Sequence, residues 1–391
     1  MRKALFLTIA LAAGSTLFAQ SVPEEKSSKS LIERILKPES KTRKFQLYLH
    51  TKGSFNADMP NGNFEKAGFR MDQLRIEMRG DINEHIYYRY QQRLTAYPNP
   101  SSTVDNLPLK VDYAGVGYRF NEKWRLFAGK MCTAYGGIEF DDNPINVYQY
   151  SLMHENMIAF LTGLDLGYHL TPDHEFRLQV LGARNESMEK TYGDIPTFIK
   201  PSKLDLVYTL NWNGHFGPDK MFSTRWSASV LNEAKGKNMY YGVLGTAMNA
   251  GKFGMFLDLM YSREQMDRKQ IISRIVTSEA NPYTQLHTDY SAVILALNYR
   301  FAPKWNIFAK GIWDTASKYK ATGDVSKGLY QTAWGYSGGI EFYPIKNDNL
   351  HLNLVYTGRK YDYTDRAKAF GATNRTDNKL ELSFIYAMRL F

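Results

Sequence analysis

The sequence predicts an all-β protein, a transmembrane antiparallel β-barrel of about sixteen strands. Three observations predict it. Composition is the first: 391 residues carry 27 Tyr, 22 Phe and 29 Gly but one cysteine, Cys132, so a disulfide framework and a cysteine metal cluster are excluded. Mean hydropathy is negative at −0.43, and beyond the first 20 residues no apolar run reaches the length of a spanning helix. Periodicity is the second, because from Arg43 onward apolar residues recur at every other position. The third is the sorting of the connections, short after even-numbered strands and mostly long after odd ones.

Residues 1–19 read as an export signal: Arg2 and Lys3, an apolar stretch from Ala4 to Ala13, and Ala19 at the cleavage position. Residues 20–42 are charged and Ser-rich, with a short amphipathic piece at Leu31, Ile32, Ile35 and Leu36. They are expected to form a periplasmic linker or a short helix. The barrel is expected over 43–391. Alternation is plain in Leu74-Arg75-Ile76-Glu77-Met78-Arg79, in Leu350 to Tyr356 and in Leu380 to Leu390. Strands are expected near 43–52, 69–80, 84–95, 110–120, 123–132, 158–170, 174–184, 202–213, 222–232, 239–249, 252–262, 288–301, 304–314, 329–342, 348–358 and 378–391. The tenth, at 239–249, has the faintest pattern. Segments of about ten residues suit a tilted strand crossing a bilayer.

Short turns are expected at Asp81-Ile82-Asn83, Asn121-Glu122, Thr171-Pro172-Asp173, Ala250-Gly251 and Ala302-Pro303. Long loops are expected at 53–68, 96–109, 133–157, 185–201, 263–287, 315–328 and 359–377. A soluble sandwich has no reason to sort loops by parity. The hairpins Tyr118-Arg119-Phe120 to Trp124 and Tyr299-Arg300-Phe301 to Trp305 echo each other. Their aromatics are expected to form an interfacial girdle beside the short turns.

Strands in lipid must close on themselves, because no backbone group can be left unpaired there. Inward positions then carry Arg75, Arg79, Arg89, Arg93, Arg125, Arg177 and Arg225, with Glu77, Asp112, Asp165, Asp205 and Asp258. Charge at that density requires a wet interior, hence a channel. Arg75, Arg79, Arg89, Arg93 and Arg125 lie at alternate positions on the second, third and fifth strands and stack into a basic ladder. The loop 133–157 follows, with Glu139, Asp141, Asp142, Tyr148 and Tyr150. Folded inward, its carboxylates would face the basic wall and narrow the pore. Taken singly, each arginine equally suits a structural ion pair.

Several of these residues resemble the phosphate-selective porin O and P family of Gram-negative outer membranes. They are the paired strands from Arg75 to Arg93, Gly129-Lys130, and Phe140-Asp141-Asp142-Asn143-Pro144 followed by Tyr148-Gln149-Tyr150-Ser151. The resemblance covers 43–391. It implies a porin, homotrimeric as a rule, passing small hydrophilic solutes passively and preferring anions such as phosphate. It implies an inward third loop, ladder roles for Arg75, Arg79, Arg89 and Arg93, and lesser ones for Arg125 and Lys130. The loop 133–157 contains no lysine. The terminal Phe391 is where barrels of this kind meet the assembly machinery, although counting back by twos from it gives Arg389, Ala387, Ile385 and Ser383 rather than the apolar set.

No cofactor, metal or nucleic-acid partner is expected; the partners expected are outer-membrane lipid and the solutes. The eight histidines (50, 85, 154, 169, 174, 215, 287 and 351) are scattered and form neither a nucleophile setting nor a metal spacing. The alternatives are a surface-binding or adhesion protein, or a barrel enzyme, using the long outer loops.

Overall fold

The computed structural model describes residues 45–95, 111–278 and 282–391. The expected signal and linker, and the expected loop 96–109 apart from its neighbours, lie outside them. Sixteen antiparallel strands close in sequence order, β1 (Gln46–Pro60) pairing with both β2 and β16. The others are β2 (Lys66–Asp81), β3 (Ile86–Arg93), β4 (Val111–Arg119), β5 (Trp124–Cys132), β6 (Phe160–Thr171), β7 (His174–Gly182), β8 (Leu206–Phe216), β9 (Phe222–Ala234), β10 (Lys237–Ala250), β11 (Phe253–Met266), β12 (Leu286–Ala302), β13 (Trp305–Lys318), β14 (Gly328–Phe342), β15 (His351–Tyr363) and β16 (Arg375–Arg389). Each expected strand is present, the tenth at full length.

Alternation sorts the two faces. On β16, Leu382 is 58% exposed on the outer wall while its neighbour Glu381 is fully buried on the inner one. Leu352 and Leu354 face outward on the adjoining β15, with Asn353 buried between them. Closure leaves no edge, so the ladder hydrogen bonds are satisfied within the sheet. Exposed Tyr118, Phe120, Trp124, Tyr299, Phe301 and Trp305 flank the short turns. The ring centroids of Trp124 and Tyr168 lie 4.4 Å apart, and those of Trp305 and Phe342 4.5 Å apart.

Three connections differ from expectation. The region 53–68 is not a loop but the upper half of a tall hairpin, in which Gly53–Asp58 pair with Lys66–Met71. Its turn carries Asn61 at φ 50° and Gly62 at φ 81°, the left-handed pair that a tight hairpin demands. Strands β9 and β10 meet through Lys235 and Gly236 alone, a short turn on the long-loop rim. The opposite rim has one longer connection, 343–350, between β14 and β15. Past β16, Phe391 leaves the strand alternation, and its ring packs against Phe45 at 5.3 Å.

Candidate functional site: the barrel interior

Register brings the arginines of β2 and β3 together: Arg75 lies opposite Arg93, and Arg79 opposite Arg89. Like charges at such spacing repel, so carboxylates stand between them. Asp112, fully buried, takes Arg75 at 3.4 Å and Arg93 at 3.1 Å. Glu77 takes Arg89 at 2.9 Å and Arg79 at 3.7 Å, with His50 at 2.9 Å. On the next strands Arg125 reaches Glu175 at 2.5 Å and Asp165 at 3.5 Å, and Arg177 bonds Asp165 as well.

The expected ladder therefore divides. The Arg75 side chain is 8% exposed and locked onto Asp112, a structural pair. Arg79 is 44% exposed and Arg89 33%, nearer the short-turn rim. Lys130 stands opposite Ala114 and Thr162, is almost wholly buried, and interacts with Asp112; it lines neither of the two main cavities. Gly129 beside it sits at φ 130°, a backbone conformation open to glycine, and pairing on both sides of β5 continues through it in register.

A cavity of about 490 Å³ opens beside this wall. Its lining holds six arginines (Arg79, Arg89, Arg119, Arg125, Arg177 and Arg225) against three carboxylates (Asp81, Asp141 and Asp165), and no lysine. Arg89 lies over the Tyr113 ring at 3.6 Å and Arg119 over Tyr87 at 4.4 Å. Stacking fixes the guanidinium planes and leaves their edges free to donate. A larger cavity of about 890 Å³ adjoins, lined by Glu139, Asp142, Glu341, Arg300, Lys310 and several Asn side chains; Asp141 and Arg225 line both.

Between β5 and β6, residues 133–159 bond to inward side chains of distant strands. The helical turn Ile138–Asp141 presents its amides to Asp258 of β11: Ile138 N donates at 2.9 Å and Glu139 N at 3.0 Å. A second helical turn, Leu152–Glu155, is met by Asp314 of β13, which accepts from Leu152 N at 3.1 Å. Each carboxylate thus supplies the acceptor that the first turn of a helix lacks, at its positive end. Gln73 of β2 donates to Pro144 O at 2.9 Å, and Arg359 of β15 binds Glu155 at 2.7 Å.

The five loop residues singled out from sequence fall at different places. Glu139 is buried against Lys310, with His154 at 3.7 Å. Asp141 pairs with Arg225 at 3.2 Å. Asp142 accepts from Asn143 N at 2.7 Å. Tyr148 donates to Glu341 at 3.2 Å and stacks on Phe308 at 5.0 Å, with Lys52 Nζ over its ring at 4.6 Å from the centroid. Tyr150 packs on His154 at 4.1 Å. Among the described ion pairs the cations of these carboxylates are Arg225 of β9 and Lys310 of β13, while Asp141 also lines the cavity that holds Arg79, Arg89 and Arg125. Asp258 and Asp314 hold the two helical turns to β11 and β13, while Asn143 and Pro144 between them bond to His50 of β1 and Gln73 of β2. Burial pushes the His154 imidazole down to about 3, and burial together with Glu341 raises the Tyr148 phenol.

Comparison with known proteins decides the family. The model of "Phosphate-selective porin O and P" matches residues 45–387, nearly the whole barrel. The chain belongs to that family. It is an outer-membrane channel of the Gram-negative type. Among solved structures it resembles the outer membrane channel DcaP of Acinetobacter baumannii, at 13% identity and TM-score 0.62, covering 88% of this chain and 96% of that one. It also resembles an in-vitro folded trimer form of OmpT of Vibrio cholerae (11%, 0.56, covering 88% and 98%). An anion-selective porin from Comamonas acidovorans is similar at 9% and 0.53, covering 88% and 99%. No curated protein matches.

Sequence reasoning missed Lys310, Asp314 and Arg359, because β13 and β15 looked like ordinary wall. Their signal was present as inward parity: Lys310, Ile312 and Asp314 alternate with outward Ala309, Gly311 and Trp313.

Proposed function

We propose that the channel passes small hydrophilic solutes by passive diffusion and prefers anions. Residues 133–159 would fold inward as its constriction, and the protein would assemble as a homotrimer. One observation carries the reading: six arginines line the cavity beside β2–β9 against three carboxylates. A positive wall in a low-dielectric barrel focuses potential and concentrates anions. Asp141 and Arg225 line both cavities and stand where solute passes from one to the other. The family's name and the anion-selective porin from Comamonas acidovorans are consistent with anion passage. The OmpT trimer supports the assembly, and Phe391 at the short-turn rim is offered to the barrel-assembly machinery.

The test is the reversal potential of the purified protein in planar bilayers under a KCl gradient. The reading requires the sign of an anion-preferring pore. A cation-preferring sign overturns the anion assignment, and absence of steps in current overturns diffusion itself.

A further inference from the structure

We infer that residues 267–276 form a second size filter, in series with the segment 133–159 and nearer the long-loop rim. The inference rests on the channel reading. From sequence, 263–287 is an outer loop, yet its Ile271-Ile272-Ser273-Arg274-Ile275-Val276 run would leave aliphatic side chains in water.

The structure puts this run inside the barrel mouth. Ile272 and Val276 are fully buried and Ile271 nearly so, packed in one apolar cluster with inward Tyr290 of β12, Ala316 of β13 and Ala333 of β14. The approach to the helical turn is held by buried charge. Asp267 accepts from Ser273 N and Ser273 Oγ, both at 2.7 Å, and from the Tyr290 hydroxyl. Glu264 accepts from Arg268 N at 2.6 Å and pairs with Lys269 Nζ at 2.5 Å, while Arg268 binds Glu233 at 3.0 Å.

Burying charges at this density is tolerable only with fixed, well-bonded geometry. The segment therefore holds one position rather than sampling many. Arg274 donates to Asn156 Oδ1 at 2.6 Å, joining it to the end of the segment 133–159. The two segments stack, and solute is confined to the cross-section they leave. Ile271, Ile272 and Val276 turn to the wall, so the turn narrows the mouth by its bulk, and the side chain it leaves exposed is that of Arg274.

The test removes the plug and leaves the basic wall intact. One variant deletes 269–276; a second, Ile272→Asn with Val276→Asn, expels the turn into water without shortening the chain or adding charge. Closed barrels are recognised by heat-modifiable migration on gels. Two constrictions of similar resistance in series predict that removing one raises single-channel conductance about twofold. Liposome swelling should admit larger neutral sugars, and in the Asn variant, which keeps every charge, the reversal potential in a KCl gradient should stay as in the wild type. A conducting wild type with folded variants of unaltered conductance and size cutoff overturns this inference alone. A wild type that conducts nothing overturns the channel reading instead.

Discussion

Asp258 offers the sharpest test of what holds residues 133–159 to the strands they bond. Its carboxylate accepts two backbone amides, Ile138 N at 2.9 Å and Glu139 N at 3.0 Å, and is 1% exposed. Replacement by alanine removes both bonds and leaves two amides without acceptors. Bonds to a charged acceptor are worth about 1.5–3 kcal/mol each, so the gross loss is at least about 3 kcal/mol. Relief of the buried carboxylate's desolvation returns part of it, leaving a net loss of roughly 2 kcal/mol. That free energy belongs to local opening of the segment, since the barrel ladder is untouched. Opening should then rise about 30-fold, at about 1.4 kcal/mol per decade. Hydrogen exchange of peptides spanning Ile138 and Glu139, in detergent-folded protein, reads this directly. Asp258→Asn, which keeps one acceptor, should show a smaller effect. Unchanged exchange in a folded Asp258→Ala protein would refute the capping argument.

Two further outcomes are expected. His154 lies at about 3 when buried, below its ordinary 6.5, so the opened segment binds the extra proton between those values. Stability of the segment is thus full above 6.5 and is lost as pH falls toward 3. At about pH 5 the histidine's share of the loss is roughly 2 kcal/mol, seen as faster exchange across 133–159, and His154→Gln should remove that share. On the outer wall, Leu354, the fourth residue of β15, is 48% exposed. Leu354→Arg should destabilise the folded barrel in bilayers by about 2–4 kcal/mol in denaturant titration; a neutral effect would contradict a lipid-facing position.

The barrel was legible in the sequence because its physics is local in period. Leu380, Leu382 and Phe384 face lipid and Glu381 and Ser383 face inward, which is a pattern of two that needs no knowledge of the partner strand. The β1–β2 hairpin shows a misreading of available information: Asn61-Gly62 is a strong turn signal, and the polar run around it suggested a loop. The interior was legible only in part. Parity placed Arg79, Arg89 and Arg125 on the wet side, but it could not separate them from Arg75, whose partner Asp112 lies in an irregular stretch where the β3–β4 register shifts. The cations that meet Glu139 and Asp141 lie 171 and 84 positions further along the chain. Such pairings are set by the closure of the sheet and by where the helical turns find acceptors. The inward course of 267–276 was hidden for the same reason, since an aliphatic run in a loop does not say which wall will bury it.

The central claim is that the exposed arginines set the preference of the pore. Its most direct test compares the anion-to-cation permeability ratio of the wild type with that of Arg79→Gln/Arg89→Gln/Arg125→Gln in one KCl gradient. The account predicts that the ratio falls toward or below unity while the barrel stays closed. A ratio that does not move would mean that these side chains are structural pairs alone, and would contradict it.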